Sequence, residues 1–369
     1  MMFLLVALFL LQSVIWWGIY RRMLDIPATS PRVGPCPPLS VLVAARNASD
    51  NLLTHLPKVL EQDYPIFEVL VVNDDSADNT VSVLETLRAR YPHLRALTLA
   101  PKVSPGKKAA LQMAIHAARH DWLVFTDADC APASDQWLRH LAGAMQAEVD
   151  IVLGYAPFFP EKTLWNRWVR FESDMAAVTY LSLAQLGMPY MGVGRNVAWR
   201  KKLFRQTGGF STHAHLPGGD DDLMVNAAAR RGNTAVVLSA EAFVYSAAKS
   251  DWRGWLRQKK RHLSAGRAYK PVHQVVLAGL SLSRALFHLC CAVLVLQGQW
   301  LPALVALAGR WAVMWPVGKA LQRRLKAPSH IQQLDHGVLN WTLPFFDLCL
   351  SVYDAFWVSW SLWIKPKGW

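Results

Sequence analysis

Two carboxylates separated by one small residue mark the first place in this chain where chemistry could be done. Trp122-Leu123-Val124-Phe125 is a run of strand formers, and it ends abruptly at Thr126-Asp127-Ala128-Asp129. Side chains two apart in extended backbone point the same way, so Asp127 and Asp129 can face one cation. Hard oxygen ligands suit Mg²⁺ or Mn²⁺ when phosphate oxygens of a substrate complete the shell. The alternative is a strand that ends in a solvated acidic turn. A second acidic cluster, Asp220-Asp221-Asp222, follows Pro217-Gly218-Gly219 and opens a helical pattern that runs to about Arg231. Acids in a first helical turn are favoured by the helix dipole, but three together exceed what capping needs. Gly106-Lys107-Lys108 also opens a helix, and offers either backbone amides and a cation to a phosphate or a solvated first turn.

The elements that must position these groups alternate. Leu39 to Ala45 reads as a buried strand, followed by a helix from about Asn51 to Gln62 and a strand from Phe67 to Val72 that ends at Asn73-Asp74-Asp75-Ser76. A helix over Val81 to Tyr91, a strand over Leu94 to Leu99, a helix over Lys107 to His120 and the strand into Asp127 complete the series. Strands alternating with helices imply right-handed crossovers and a mostly parallel α/β sheet. Ligands bind such sheets at the carboxyl ends of the strands. Arg46-Asn47, Asp74-Asp75 and Asp127 to Asp129 all fall at such ends, which puts them on one rim. No Walker loop or GxGxxG motif is present, which weighs against a P-loop ATPase or a dinucleotide enzyme.

Composition places part of the chain in lipid. Of 369 residues, 53% are hydrophobic and only 18% charged. The net charge of +13 is not accompanied by any zinc-finger, RRM-like or basic-zipper pattern, so nucleic acid is not the expected partner. Basic clusters beside apolar spans fit an anionic membrane face instead. The five cysteines (Cys36, Cys130, Cys290, Cys291 and Cys349) make no metal-ligand spacing and suit reduced thiols. Met1 to Tyr20 is long enough to span a bilayer. Its charges, Arg21-Arg22, come after the apolar run rather than before it, which favours an anchor over a cleaved signal and puts the N-terminus outside.

The ordered set of motifs resembles a known family. Val41 to Asn47, Val71 to Thr80, Gly106 to Leu111, Asp127-Ala128-Asp129, Gly219 to Leu223 and Gln258-Lys259-Lys260-Arg261-His262 are similar, in order and spacing, to the family-two inverting glycosyltransferases with the GT-A fold. The resemblance is to the membrane-bound branch, which includes ceramide glucosyltransferases and polysaccharide synthases. It covers roughly residues 39 to 270. Asn73 stands where the family usually has the first Asp of a pair, leaving Asp74 as the nucleotide contact, and His262 replaces the Trp of the QxxRW motif.

The resemblance implies transfer, with inversion, from a nucleotide sugar, and the family leans to a uridine diphosphate link. Asp129, with Asp127, would hold the metal on the leaving diphosphate. Arg46, Asp74, Lys107 and the shared Asp127 would bind the nucleotide sugar. Matching the family's acidic pair puts the base at Asp221, with Asp220 second. Gln258 and Arg261, at i and i+3, share a helix face; Arg261 would contact diphosphate bidentately, with Gln258 and His262 on the acceptor or diphosphate side. Gly192 to Trp199 reads as a turn into a strand bordering the acceptor. Trp165, Trp168 and Phe171 form a stripe on a helix from Leu164 to Leu186, for core packing or for a membrane-facing groove.

The expected organisation is an N-terminal membrane helix (1–22), a proline-rich linker (23–38), a cytoplasmic GT-A domain (39–249), an amphipathic interface helix (250–270) and a C-terminal membrane region (271–369). In that last region Val272 to Leu296, Trp300 to Val317 and Val338 to Ile364 are the apolar blocks, giving three or four spans in all. Lys319, Arg323, Arg324 and Lys326 put the intervening loop in the cytoplasm, while Lys365 and Lys367 lie outside if the last block crosses. Arg284, His288, Arg310, Asp347 and Asp354 lie within the blocks and are expected to pair between helices. These features describe an integral protein of a bacterial plasma (inner) membrane that glycosylates a lipid or lipid-linked acceptor. A processive polysaccharide synthase is the alternative, and a scaffold or transporter with a non-catalytic nucleotide-fold domain is the alternative of another class.

Overall fold

In the computed structural model, residues 1–101, 106–216, 218–328, 339 and 342–363 are described, with side chains to residue 356. Pro217, Val338, Ile364, Lys365 and Lys367 lie outside the described residues. In chain order, helix α1 (Met2–Val14) continues through a π turn and a 3₁₀ turn to Asp25. Then come β1 (Leu39–Ala45), α2 (Ser49–Leu60), β2 (Phe67–Asp74), α3 (Thr80–Arg90), β3 (Leu94–Leu99), α4 (Lys108–Ala117), β4 (Trp122–Phe125) and β5 (Cys130–Pro132). They are followed by α5 (Trp137–Gly143), β6 (Ile151–Gly154), α6 (Leu164–Gln185), β7 (Val197–Arg200), α7 (Lys201–Gln206) and α8 (Asp222–Ala228). The remaining elements are β8 (Thr234–Val237), β9 (Val244–Ser246), α9 (Trp252–Gly266), α10 (Pro271–Leu296), α11 (Trp300–Arg324) and α12 (Leu343–Trp363).

One of two compact units comprises Pro27–Phe159 and Gly187–Ala268. Its sheet has the order β3-β2-β1-β4-β7-β6-β8. β1 pairs in parallel with β2 and β4, β2 with β3, and β6 with β8, while β7 runs antiparallel to both β4 and β6. The inner strands are nearly continuous apolar runs because helices cover both faces, which leaves no solvent side to demand alternation. Leu52, Leu56, Val59 and Leu60 of α2 and Val83, Leu84 and Leu87 of α3 enter the same core as Val41, Val43, Val69 and Val71. The register aligns Ala45 with Asn73 and Leu42 with Phe125. The carboxyl ends of β1, β2 and β4 therefore share one edge. This is the mostly parallel α/β sheet that the alternation of strands and helices predicts.

Element ends differ from the sequence reading where a cap or a pairing partner decides them. β2 runs on to Asp74 because Leu99 of β3 pairs with it. α8 stops at Ala228, short of Arg231. Asn233 turns the chain there: its Oδ1 accepts from the Arg230 N–H (2.9 Å), its Nδ2 donates to the Ala228 carbonyl (3.2 Å), and Gly232 takes φ +94°. α9 starts at Trp252 because Asp251 caps it, accepting from the Gly254 N–H at 2.8 Å.

The other unit comprises Met1–Ile26, Pro160–Leu186 and Tyr269–Lys367. Three helical stretches, Met2–Asp25, Pro271–Leu296 and Trp300–Arg324, are long and apolar enough to cross a membrane. Their polarity is inverted relative to a soluble bundle. Phe3, Leu10, Val275, Leu282, Leu289, Leu296, Leu301 and Val305 are exposed, whereas Gln12, Ser283, Arg284, Arg310 and Asp347 are buried. The charges are paired, as low-dielectric surroundings require. Arg310 forks onto both oxygens of Asp347 (2.8–3.1 Å) and donates to Gln12 Oε1 at 2.5 Å, while Arg284 pairs with Asp354.

The aromatic stripe of α6 packs within this unit. Trp168 lies against Phe346 and Tyr353, and Phe171 against Phe346. Lys319, Arg323 and Arg324 sit on α11 rather than in a loop. The helix continues past Pro316, and basic residues in its last turn complement the dipole. Arg324 also donates to the Ile26 carbonyl at 2.6 Å.

Candidate functional site

The rim is built first by the loops after β1 and β2, which interlock. Asn47 (φ +48°) and Asp75 (φ +55°) take the left-handed conformation that Asn and Asp tolerate best after Gly. The Asn47 N–H donates to Ser76 Oγ (2.9 Å), the Ala77 N–H to Asn47 Oδ1 (2.8 Å), the Ala48 N–H to Thr80 Oγ1 (2.9 Å) and the Ser49 N–H to Asp78 Oδ2 (3.1 Å). Hydrogen bonding from the Thr80 hydroxyl, reinforced by the Ser49 and Thr80 amides, lowers Asp78 to about 2, so this brace is ionised at any working pH. Asn73 is committed to the loop, its Oδ1 accepting from the Ser76 N–H at 3.2 Å. Asp74, at the strand end, is 3% exposed, and Arg46 is exposed beside the same turn.

The acidic centre forms where β4 ends. Ligand atoms of Asp127, Asp129 and Cys130 lie within 4.8 Å of one another. Lys107 Nζ, one residue before α4, sits 2.6 Å from Asp127 Oδ1 and 3.1 Å from Asp220 Oδ2. The ammonium thus bridges acids from two separate segments. Burial opposes ionisation of Asp127, but the Lys107 charge and hydrogen bond, with help from Arg195 and Arg261, hold its carboxyl below the ordinary value. Burial likewise opposes the charge on Lys107, and Asp127, Asp220 and Asp221 together hold it well above the ordinary lysine range. Burial, with the charges of Asp127 and Asp129, pushes the Cys130 thiol well up. The two carboxylates therefore fit a hard divalent ion, and Cys130 stands beside them as a neutral thiol.

Asp221 is held from two sides. Its Oδ2 accepts from the Gly194 N–H at 2.5 Å, and its Oδ1 accepts from the Asp222 N–H at 2.9 Å as the N-cap of α8. A Cβ on Gly194 would lie 2.9 Å from that Oδ2, so the close approach requires glycine. Burial, and then the neighbouring Asp220 carboxylate, raise Asp221 above the ordinary value, with Lys107 and the two amides opposing. The Gly192–Asn196 turn is fixed by Asn196, which is fully buried: its Oδ1 accepts from Trp137 Nε1 (3.0 Å) and its Nδ2 donates to the carbonyls of Tyr155 (2.8 Å) and Ala242 (2.9 Å). Lys108 straps the approach to the acidic turn, donating to the carbonyls of His213 (2.5 Å) and Leu216 (2.7 Å).

α9 closes the cluster. Gly218 packs against Arg261, where an added Cβ would lie 3.1 Å from its Cγ. Arg195 donates to Ser246 Oγ at 2.5 Å and covers the Phe158 ring with 4.4 Å between guanidinium and centroid. Desolvation in the cleft, then the charges of Lys259, Arg261, Arg195 and Lys107, hold the His262 imidazole well below its ordinary value although its outer edge is exposed. It is neutral at neutral pH. Gln258 is half-buried on the same helix.

Of the residues singled out in the sequence, Lys107, Asp127, Asp129, Asp220, Asp221, Arg261 and His262 come together here. Arg46 and Asp74 stand on the adjoining loops of the same rim, and Asp222 faces α8. The sequence reading placed Gly194 and Arg195 only within the Gly192 to Trp199 turn bordering the acceptor, without their contacts, and read Cys130 only as a reduced thiol. The signal for Arg195 was a lone cation in a glycine-rich turn before a buried strand; nothing local marked Gly194 as the partner of Asp221.

Residues 40–212 match the model of Glycosyl transferase family 2. The chain is 30% identical over 194 residues to the glycosyltransferase AglE of Haloferax volcanii, covering 50% of this chain and 59% of that one. It is 30% identical over 117 residues to the beta-monoglucosyldiacylglycerol synthase of Trichormus variabilis, covering 31% and 25%. The chain spans 22% to 59% of the length of such curated relatives. Among solved structures, the mannosyltransferase PcManGT of Pyrobaculum calidifontis, in complex with GDP-Man and Mn²⁺, superposes with a TM-score of 0.57 at 19% identity, over 97% of this chain and 99% of that one.

Proposed function

We propose that this protein, whose residues 40–212 match the model of Glycosyl transferase family 2, is a membrane-embedded inverting glycosyltransferase that moves a sugar from a nucleotide diphosphate donor to a lipid or lipid-linked acceptor at the cytoplasmic leaflet. The observation that carries the reading is the convergence of Asp127, Asp129, Lys107, Asp220 and Asp221 at the carboxyl edge of one parallel sheet. A lipid acceptor is favoured by the apolar helices and by the likeness to a diacylglycerol-modifying synthase.

Asp129 and Asp127 would hold Mg²⁺ or Mn²⁺, which supplies neutralisation of the departing diphosphate. Asp74 and Arg46 stand where the nucleotide's base and ribose would lie. Lys107 and Arg261 offer the pyrophosphate positive charge, Arg261 through a planar fork. Asp221 is the base: its raised proton affinity suits removal of a hydroxyl proton, and the Gly194 amide fixes the direction in which the carboxylate points. Asp220, ion-paired to Lys107, keeps a second negative charge beside it. Gln258 and His262 line the acceptor or diphosphate side, His262 as a neutral hydrogen-bonding group.

Membranes containing the protein, incubated with a panel of nucleotide sugars and a divalent ion, are expected to release nucleoside diphosphate and to yield a glycosylated species in the lipid extract by mass spectrometry. Asp129→Ala should abolish transfer and metal response together. Retained transfer with a normal metal response would overturn the assignment, and long polymeric products would point to a processive synthase instead.

A further inference from the structure

A small cavity of about 10 Å³ adjoins the acid pair, lined by Lys107, Thr126, Gly194, Trp199, Asp220 and Asp221 together with apolar side chains of α4, β4 and β7. That volume accommodates about one water molecule. Two of its lining side chains are almost fully buried at 2% exposure each, and their polar atoms, Thr126 Oγ1 and Trp199 Nε1, make no hydrogen bond among the described residues. Buried donors and acceptors without a partner are rare and costly, so a polar molecule is demanded on the side they face. Trp199 is not free to turn away. Its ring is stacked on Phe125 (centroids 4.5 Å apart, planes 22° apart) and lies parallel to Phe204 at 6.2 Å. The indole N–H is therefore aimed by the packing of β4 and β7.

The groups that converge on the cavity are complementary. Trp199 Nε1 can only donate, the carboxylates of Asp220 and Asp221 can accept, and the Thr126 hydroxyl can do either. A single water satisfies all three requirements by accepting from the indole, exchanging a hydrogen bond with the hydroxyl and donating to the acid pair. We propose that this cavity is a one-water site, and that Trp199 and Thr126 act through that water as positioning residues for the Asp220–Asp221 pair. The inference rests on the reading of Asp221 as the base. In that role the Gly194 and Asp222 amides hold the two oxygens of Asp221, and the water adds a further hydrogen bond to the acid pair from the cavity. No covalent step is added: the water orients, and the acceptor proton still goes to Asp221.

The test uses full-length protein in membranes, with the donor that supports transfer. Trp199→Phe keeps an aromatic ring against Phe125 but removes the N–H together with part of the indole, so its thermal stability is compared alongside kcat, and Thr126→Val keeps the shape and removes the hydroxyl. Each is expected to lower kcat about tenfold, the scale of one lost hydrogen bond at the transition state, while KM for the donor stays unchanged. Thr126→Ser should restore wild-type turnover, which a purely packing role for the methyl group would not allow. If both variants keep wild-type kcat while Asp221→Asn is inactive, the proposal is overturned and the base assignment stands. If Asp221→Asn remains active, the base assignment fails on its own. The water site is then decided by a high-resolution experimental structure: density for one water within hydrogen-bond distance of Trp199 Nε1 and Thr126 Oγ1 upholds it, and its absence there refutes it.

Discussion

At the scale of single residues, opposite perturbations suit the acids to the different tasks proposed for them. Asp127 is held below the ordinary carboxylate value and stays ionised for a cation, whereas Asp221 is held above it and can take a proton. Turnover should therefore rise with pH through an ionisation above the ordinary carboxylate range, because Asp221 must lose its proton before it can accept another. A kcat profile measured from acid to neutral pH would show that limb, and a profile flat down to pH 4 would contradict it. Asp221→Asn should lower kcat by about a thousandfold or more with donor affinity retained, since general-base catalysis contributes factors of about that size. Gly194→Ala forces the carboxylate aside and should reduce kcat by about tenfold or more without unfolding the sheet, as judged by circular dichroism. The acids themselves were legible in the sequence because DxD follows a strand run and the acidic triplet follows glycines. Their partners were not: the Lys107–Asp220 bridge and the Gly194–Asp221 contact join segments far apart in the chain, and such pairs leave no periodic trace.

Among the elements, the inner strands were readable to the residue in several cases because burial on both faces turns them into unbroken apolar runs. Helix ends were harder, since side chains outside the helix decide them, as Asn233 does for α8 and Asp251 for α9. The aromatic stripe of α6 was visible as a packing face, but its partner, α12, follows far along the chain. Buried charges in the apolar helices behave as registers between helices. Removing one partner of the Arg310–Asp347 fork leaves an uncompensated charge in a low-dielectric setting, so Asp347→Ala should cost about 3–5 kcal/mol. The double change Arg310→Met with Asp347→Leu should recover much of that loss, and thermal denaturation in detergent would compare the two. Arg261→Ala, on α9, should weaken donor handling, raising KM for the donor more than it lowers kcat.

Across the whole molecule, the two compact units obey different rules of solvation: one hides its apolar residues, and the other displays them and hides its charges. Reading that contrast required only hydropathy and the placement of charged residues, which is why the long apolar helices were evident. What a linear reading could not supply was the assignment of α6, which lies between strands of the sheet unit in sequence yet clusters with the apolar helices. Adjacent lysines at the start of α4 carry a last consequence. Lys107 grips Asp220, while Lys108 grips the carbonyls of His213 and Leu216, so the acidic turn is ballasted to one helix as cargo. A disturbance at the far end of that helix, where His116 meets the edge of Phe204, would reach the reacting carboxylates as a tilt. It would slow turnover without removing any of the groups proposed to react.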